Sequence, residues 1–320
     1  MLKINPFTVL ILSSVIAAFL MPIIIGLLYK LNVKMHVLTH KDDNMDNKVF
    51  LQLHGAKNGT PKAGGLIWII LFPIISFFVF GNTPLNWILI IFTLLVGIFG
   101  LIDDIMGKYI KSFAVDKMIR NSKFLVELTI GSLLSYLLIK NFNLPFPMIL
   151  TFPAIVFLFV SYTNAFNIND GLDGLLTGQV IWIFTGLLIL TIMQGNSTVS
   201  MYCAIMLGIL IVFLYFNINP ARVFMGDSGS TSLGVIALIL AIASNNFLPF
   251  VIMTIPSIIT VASSAIQIIS IKYFKRKVFK IAPLHHHFEA MGWSETKVTE
   301  RYWLAQTFFV FLAIAISTLL

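Results

Sequence analysis

The sequence predicts an all-α polytopic protein that crosses a membrane about ten times, and three observations predict it. Of its 320 residues, 58% are hydrophobic and only 11% are charged, against about 25% charged in an ordinary soluble domain. The mean hydropathy is +0.95. Apolar stretches near the roughly 20 residues that a helix needs to cross a bilayer recur along the whole chain. The net charge of +8 does not point to nucleic acid, because basic loops facing anionic lipid account for it more simply.

In order, the apolar stretches run over 6–31, 65–81, 84–102, 122–140, 145–163, 174–193, 200–216, 229–244, 247–271 and 302–320. The first follows a single charge, Lys3. It is too long for the apolar core of a signal peptide and reads as a membrane helix. The ninth, from Phe247 to Ile271, would reach about 37 Å, beyond a bilayer core of about 30 Å. It must tilt or break, with Pro256 as the natural breaking point. Cys203, the single cysteine, lies in an apolar run and reads as a small buried hydrophobe. The connections are too short for a soluble domain and show no repeat, so residues 1–320 read as one membrane domain.

The connections alternate in character. Gly81–Thr83, Asn141–Leu144, Gln194–Val199 and Ser244–Asn246 are short and nearly uncharged. The other five are longer and polar, and 19 of the 21 Lys and Arg lie in or beside them. The positive-inside rule places those five loops in the cytoplasm and both termini outside. Twelve of the 13 acids share that face; the other is Glu127, in the fourth stretch. An Asp at a helix centre costs about 2.5–3.5 kcal/mol, so the gathered acids call for water, a cation or a substrate. Glu127 lies one turn beyond Lys123 and reads either as its local ion-pair partner or as a group beside a site.

Chemistry-bearing residues fill these five loops. The first ends in a stretch from His54 to Gly65, with four glycines, Pro61, Lys57 and Lys62. It reads as a tightly turning backbone whose free N–H groups can hold phosphate, or as a plain turn. The second opens with Asp103-Asp104 at a helix end, where the helix dipole opposes anions. Lys108 and Lys111 are available to offset them. The third, Asn164 to Gly174, holds Asn164, Asn167, Asn169, Asp170 and Asp173 with no cation. Asp170 and Asp173 would share one face of a helical turn. The fourth carries Asn217, Phe224 and Asp227. Phe224 reads as a stacking partner for a base or as ordinary packing, and Asp227 as a ligand or as an N-cap. The fifth carries the basic run 275–280, suited to anionic headgroups or phosphate, then His285, His286 and His287. Three adjacent histidines lack the spacing of helical zinc ligands. Donors to phosphate and a structural cluster both fit them.

Like charges about 4 Å apart repel by about 4 kcal/mol at an effective dielectric of 20. Asp103, Asp104, Asp170, Asp173 and Asp227 therefore cannot converge without a cation. Hard oxygen donors favour Mg²⁺ or Mn²⁺, and with Lys, Arg and His beside them they suit phosphoryl transfer. A cation-gated transporter is the rival reading, but a carrier would set its ionisable groups near the midplane.

The segments Gly59-Thr60-Pro61, Asp103-Asp104, Asn164–Gly174, Asn217–Gly229 and Pro283–Glu289 resemble the polyprenyl-phosphate N-acetylhexosamine-1-phosphate transferase superfamily. The histidine block, with Gly292-Trp293-Ser294-Glu295, Val298 and Arg301-Tyr302-Trp303, narrows the resemblance to bacterial phospho-N-acetylmuramoyl-pentapeptide transferases. The resemblance implies transfer from UDP-N-acetylmuramoyl-pentapeptide to undecaprenyl phosphate in the bacterial cytoplasmic membrane. Its products are UMP and lipid I for peptidoglycan, with Mg²⁺ as cofactor. It also implies roles: Asp227 as metal ligand, Asp103 as base or nucleophile with Asp104 beside it, and Asn167 and Asp170 at the metal and diphosphate. Asn164 joins the substrate set. Lys57, Asp173, Asn217 and Phe224 would hold uridine; Gln267 and the histidines would meet the sugar-phosphate or peptide. The resemblance is also what suggests a homodimer. A sister enzyme transferring N-acetylglucosamine-1-phosphate is the nearer alternative, and Pro283–Glu289 argues against it. One departure stands out. The family pattern Gly-Thr-Pro-Thr-Met-Gly-Gly reads here Gly59-Thr60-Pro61-Lys62-Ala63-Gly64-Gly65, and no role transfers to Lys62.

Overall fold

The computed structural model describes residues 5–35, 57–106 and 113–319; Lys3, residues 54–56, Lys108 and Lys111 lie outside them. The helices are α1 (Pro6–Lys30), α2 (Leu66–Phe80), α3 (Pro84–Met106), α4 (Phe113–Asn141), α5 (Met148–Asn169), α6 (Leu175–Met193), α7 (Ser197–Asn217) and α8 (Gly226–Ala243). Then follow α9 (Phe247–Met253), α10 (Ile255–Ile269), the short α11 (Leu284–Ala290) and α12 (Glu295–Leu319). Among the described residues nine helical segments are long and apolar enough to cross a membrane, and the shorter apolar α2 makes a tenth. The chain is a multi-pass membrane protein.

Local signals set the helix ends. Asn5 caps α1, its Oδ1 accepting the Thr8 N–H at 2.9 Å, and Pro6 fits the first turn, where no N–H is needed. The long ninth stretch breaks as its length required. Thr254 separates α9 from α10, and Pro256 occupies the first turn of α10. The Thr254 hydroxyl lies 2.9 Å from the Tyr162 hydroxyl, which fixes the break against α5. Cys203 is buried in α7 among apolar neighbours.

Four helices outrun their apolar stretches, α4 among them, since it starts at Phe113 rather than near 122. α3 continues to Met106, α5 to Asn169, and α12 starts at Glu295. Hydropathy marks where lipid ends, whereas a helix ends where its hydrogen-bond ladder does. Asp103-Asp104, Asn164–Asn169 and Glu295–Arg301 are therefore turns of helix standing beyond the apolar zone, not loop.

α8 is the central helix, packed against α3 and α5 and buried along nearly its whole length. Its first turns read Gly226-Asp227-Ser228-Gly229-Ser230. Small residues let backbones approach closely: a Cβ on Gly100 of α3 would stand 2.6 Å from the Ser228 Cα. Gly100→Ala should therefore lower the thermal unfolding midpoint in detergent, through a loss of about 1–3 kcal/mol. Gly26→Ala, with nothing within 4 Å of the added carbon, should not. Equal midpoints for the two variants would refute the close approach of α3 to α8.

Candidate active site

The first N–H groups of a helix have no partner within it. At α8 Asp104 of α3 supplies one. Its Oδ1 accepts the Asp227 N–H at 2.9 Å; its Oδ2 accepts the Ser228 N–H at 3.1 Å and the Ser228 hydroxyl at 2.9 Å. Asp104 stands at the unfavourable end of its own helix but at the favourable, positive end of α8. Gly226 makes room for it: its φ is +75°, and a Cβ there would lie 2.5 Å from Asp104 Oδ2. Asp227 thus sits in the first turn with its N–H capped by another residue, and its carboxylate is left for the site.

Two lysines converge on these acids. Lys62 Nζ lies 2.8 Å from Asp104 Oδ1 and 3.7 Å from Asp227 Oδ1. Lys123 Nζ donates to Asp103 Oδ2 at 2.7 Å and to Asp227 Oδ2 at 3.1 Å. Two ammonium groups thus supply positive charge to these acids. Burial alone would lower the Lys62 ammonium. The carboxylates of Asp104 and Asp227 overcome that and hold it above the usual lysine value, so Lys62 is charged.

Asp170, at the end of α5, lines a cavity of about 210 Å³ together with Asn167, Phe224, Lys57, Lys62 and Asp227. Burial pushes its carboxyl well above the usual carboxylate value, and the charge of Asp227 adds to this. Asp170 and Asp227 offer hard oxygen donors to one space, which is the donor chemistry of a divalent cation such as Mg²⁺. Among the described residues no three acidic, histidine or cysteine side chains are already gathered to coordinate one.

A second cluster forms beside the first. Lys57 Nζ pairs with Asp173 Oδ1 at 2.7 Å and with Glu295 Oε1. Glu295 Oε1 also accepts the Asp173 N–H at 2.6 Å. Asp173 Oδ2 accepts from Asn219 Nδ2 at 3.0 Å and from the Ala221 N–H at 2.9 Å. Lys57 Nζ lies 5.7 Å from the centre of the half-buried Phe224 ring. Asp170 and Asp173 do not share one face. α5 stops at Asn169, the chain turns, and the two acids enter different clusters.

The glycine loop departs from expectation. The N–H groups of Gly59, Thr60, Lys62, Gly64 and Gly65 bond to the carbonyls of Met35, Lys57, Val33, Phe224 and Met225 respectively. They are not free for phosphate. The loop is an irregular segment, bonded on one side to 33–35 and on the other to 224–225, and it delivers Lys57 and Lys62 to the cavity.

The other expected residues spread around this centre. Asn164 Nδ2 donates to Glu127 Oε2 at 2.9 Å, holding Glu127 while Lys123 turns to the aspartates. Asn217 is buried, accepts from Thr177 at 2.6 Å and donates to Val223 O at 2.9 Å, so it braces the fourth loop beneath Phe224. Gln267 Oε1 accepts the N–H groups of Val278 and Phe279, both at 3.0 Å, and so ties the basic loop to α10. His286 Nδ1 lies 2.7 Å from Glu289, and His287 Nδ1 accepts the Lys280 N–H at 3.1 Å. None of these last three lines the cavity. His285 connects the corner to it, because the buried ring packs where a Cβ on Gly171 would collide. Trp303 Nε1 donates to Gly174 O at 3.2 Å and secures the third loop from α12.

Sequence reasoning missed three participants. Lys123 was legible only as a neighbour of Glu127, Glu295 only as a motif letter, and Lys62 as a departure without a role. Charge alone was the available signal: Lys62 and Lys123 lie at the edges of apolar stretches, and Glu295 stands seven residues before one.

Residues 86–245 match the profile described as glycosyl transferase family 4. A Clostridium perfringens protein named phospho-N-acetylmuramoyl-pentapeptide-transferase is 33% identical over 317 residues, covering 96% of this chain and 95% of that protein. Proteins of the same name from Staphylococcus haemolyticus and Staphylococcus aureus are each 36% identical over 272 residues, 79% of this chain. The chain belongs to this family. The matched profile holds Asp103, Asp104, Lys123, Asp170, Asp173 and Asp227. Lys57, Lys62 and the histidines fall outside it, within the span of the full-length relatives.

The two adjacent acids should behave differently. Asp104→Ala strands two helix N–H groups and Lys62, and should cost about 3–5 kcal/mol of stability. Asp103→Asn, which keeps a partner for Lys123, should leave the unfolding midpoint within a few degrees of the parent. A stable Asp104→Ala protein would show that the cap is dispensable.

Proposed function

We propose that this protein transfers phospho-N-acetylmuramoyl-pentapeptide from its UDP-linked donor to undecaprenyl phosphate. The products are UMP and lipid I, and the reaction uses Mg²⁺, with Mn²⁺ able to replace it. The site faces the cytoplasm of a bacterial inner membrane, a reading supported by the concentration of Lys and Arg beside the same loops. The observation that carries the proposal is the shared cavity. In a chain of this family, Asp170 and Asp227 open on the same space as Lys57 and Phe224, at the polar ends of membrane helices.

In the reaction an oxygen of the lipid phosphate bonds to the diphosphate phosphorus that bears the sugar. The bond from that phosphorus to the UMP oxygen breaks, and UMP leaves with the electron pair. One phosphoanhydride replaces another, so positioning dominates. Asp103 is the reactive acid of the adjacent pair: 27% of its side chain is exposed, whereas that of Asp104 is fully enclosed. Lys123 holds Asp103 in place. A phosphate monoester has a second pKa of about 6, so the acceptor arrives largely deprotonated. Asp103 either takes the remaining proton or first attacks the sugar-bearing phosphorus itself, expelling UMP, and is then displaced from the resulting acyl phosphate by the lipid phosphate oxygen. A labelled adduct on Asp103 without acceptor marks the second route. Lys57, Asp173 and Phe224 hold the uridine, with Asn217 fixing the loop beneath. Gln267 and His285–His287 serve the sugar-phosphate and peptide side, and Asn164 and Asn167 border the diphosphate. Asp170 and Asp227 would hold the divalent ion, which when bound neutralises the diphosphate.

Purified protein should release UMP from UDP-N-acetylmuramoyl-pentapeptide only with both undecaprenyl phosphate and Mg²⁺ present. Asp227→Asn should slow that release by about a hundredfold or more. Turnover of UDP-N-acetylglucosamine alone would overturn the substrate assignment, and a parental rate in Asp227→Asn would overturn the metal assignment.

A further inference from the structure

We infer that Lys62 is a tethered counter-ion which occupies the charge position beside Asp227 in the metal-free protein and must leave it when a divalent cation binds. The inference rests on the reading of Asp227 as a metal ligand. Both Asp227 oxygens face an ammonium: Oδ1 faces Lys62 at 3.7 Å and Oδ2 faces Lys123 at 3.1 Å. The two lysines differ in freedom. Lys62 lines the cavity with Asp170 and Asp227, and its side chain is 34% exposed. Each is held by a second acid, Lys62 by Asp104 at 2.8 Å and Lys123 by Asp103 at 2.7 Å, but Lys123 is only 19% exposed and does not line that cavity.

The backbone of Lys62 is fixed, its N–H bonding to Val33 O at 3.0 Å, but a four-carbon stem allows the head to swing. When it does, Asp104 gives up its ammonium partner at 2.8 Å but not its bonds to α8. Asp104 keeps the Asp227 and Ser228 N–H groups and the Ser228 hydroxyl. The new partner is in the same cavity: the diphosphate of the donor, which an ammonium binds as a point charge. Lys62 thereby couples two ligands. A divalent ion alone must displace a cation from Asp227, whereas an ion arriving with a diphosphate finds Lys62 already drawn away. Such coupling is reciprocal by linkage. A unit charge this close to a bound metal, at an effective dielectric of about 20, weakens affinity by about tenfold or more.

Mn²⁺ binding to the full-length protein in detergent, followed by electron paramagnetic resonance without nucleotide or lipid, tests this. Lys62→Thr and Lys62→Met should bind Mn²⁺ at least about tenfold more tightly than the parent, and Lys62→Arg should match it. Adding Asp227→Asn to Lys62→Thr should abolish the gain. Equal affinity in the parent and both neutral variants would overturn the counter-ion role while leaving the metal assignment standing. Tight binding that survives Asp227→Asn, or no Mn²⁺ binding by any variant, would overturn the metal assignment and the inference with it.

Discussion

Asp104 accepts two backbone N–H groups and a hydroxyl from the start of α8, and the rest of the site is placed relative to those bonds. They fix α3 against α8 at the level where Gly100 meets Ser228. They also relieve Asp227 of capping its own helix, which frees its carboxylate to face the cavity. An N-cap contributes about 1 kcal/mol in ordinary helices. Here the capping group is a buried carboxylate with a lysine on it, so its removal strands charges as well as N–H groups. A helix end and an ion cluster have become one device.

Four carboxylates, Asp103, Asp104, Asp170 and Asp227, stand near two ammonium groups, Lys62 and Lys123. If all are ionised, negative charge is in excess. Burial already holds Asp170 towards its neutral form. The arrangement is internally compensated to the point of stability and still short of cations. The neighbouring Lys57–Asp173–Glu295 set is closed by contrast, with each acid answered by donors from two or more segments. One cluster is left hungry for charge and the other is a fixed frame.

The spans were legible because lipid imposes a simple rule on composition, and the broken ninth stretch followed from length and Pro256. The acids of the site were legible because charge is rare in this chain and falls on one face. What sequence could not show was direction. Asp103 and Asp104 are adjacent in sequence, yet successive residues on a helix point about 100° apart, so one reaches solvent and the other lies beneath α8. The glycine loop misled because composition reveals how a backbone can turn but not where its N–H groups go. Lys123 and Glu295 were obscured by distance along the chain: Lys123 meets Asp103 from 20 residues away and Asp227 from 104, and Glu295 meets the Asp173 N–H from 122.

The cross-bonded glycine loop has a consequence for how such a protein is made. Residues 59–65 wait for 224–225, Asp104 waits for Ser228, and Lys57 waits for Glu295, 238 positions later. A ribosome delivers α3 to the bilayer long before it delivers α8 or α12. Every half-made chain therefore carries acids and lysines whose counterparts have not yet been synthesised. Membrane insertion alone cannot produce a working centre. Helix α12 brings Glu295 and closes the frame, so a chain stopped before it lacks the acid that answers Lys57 and the Asp173 N–H.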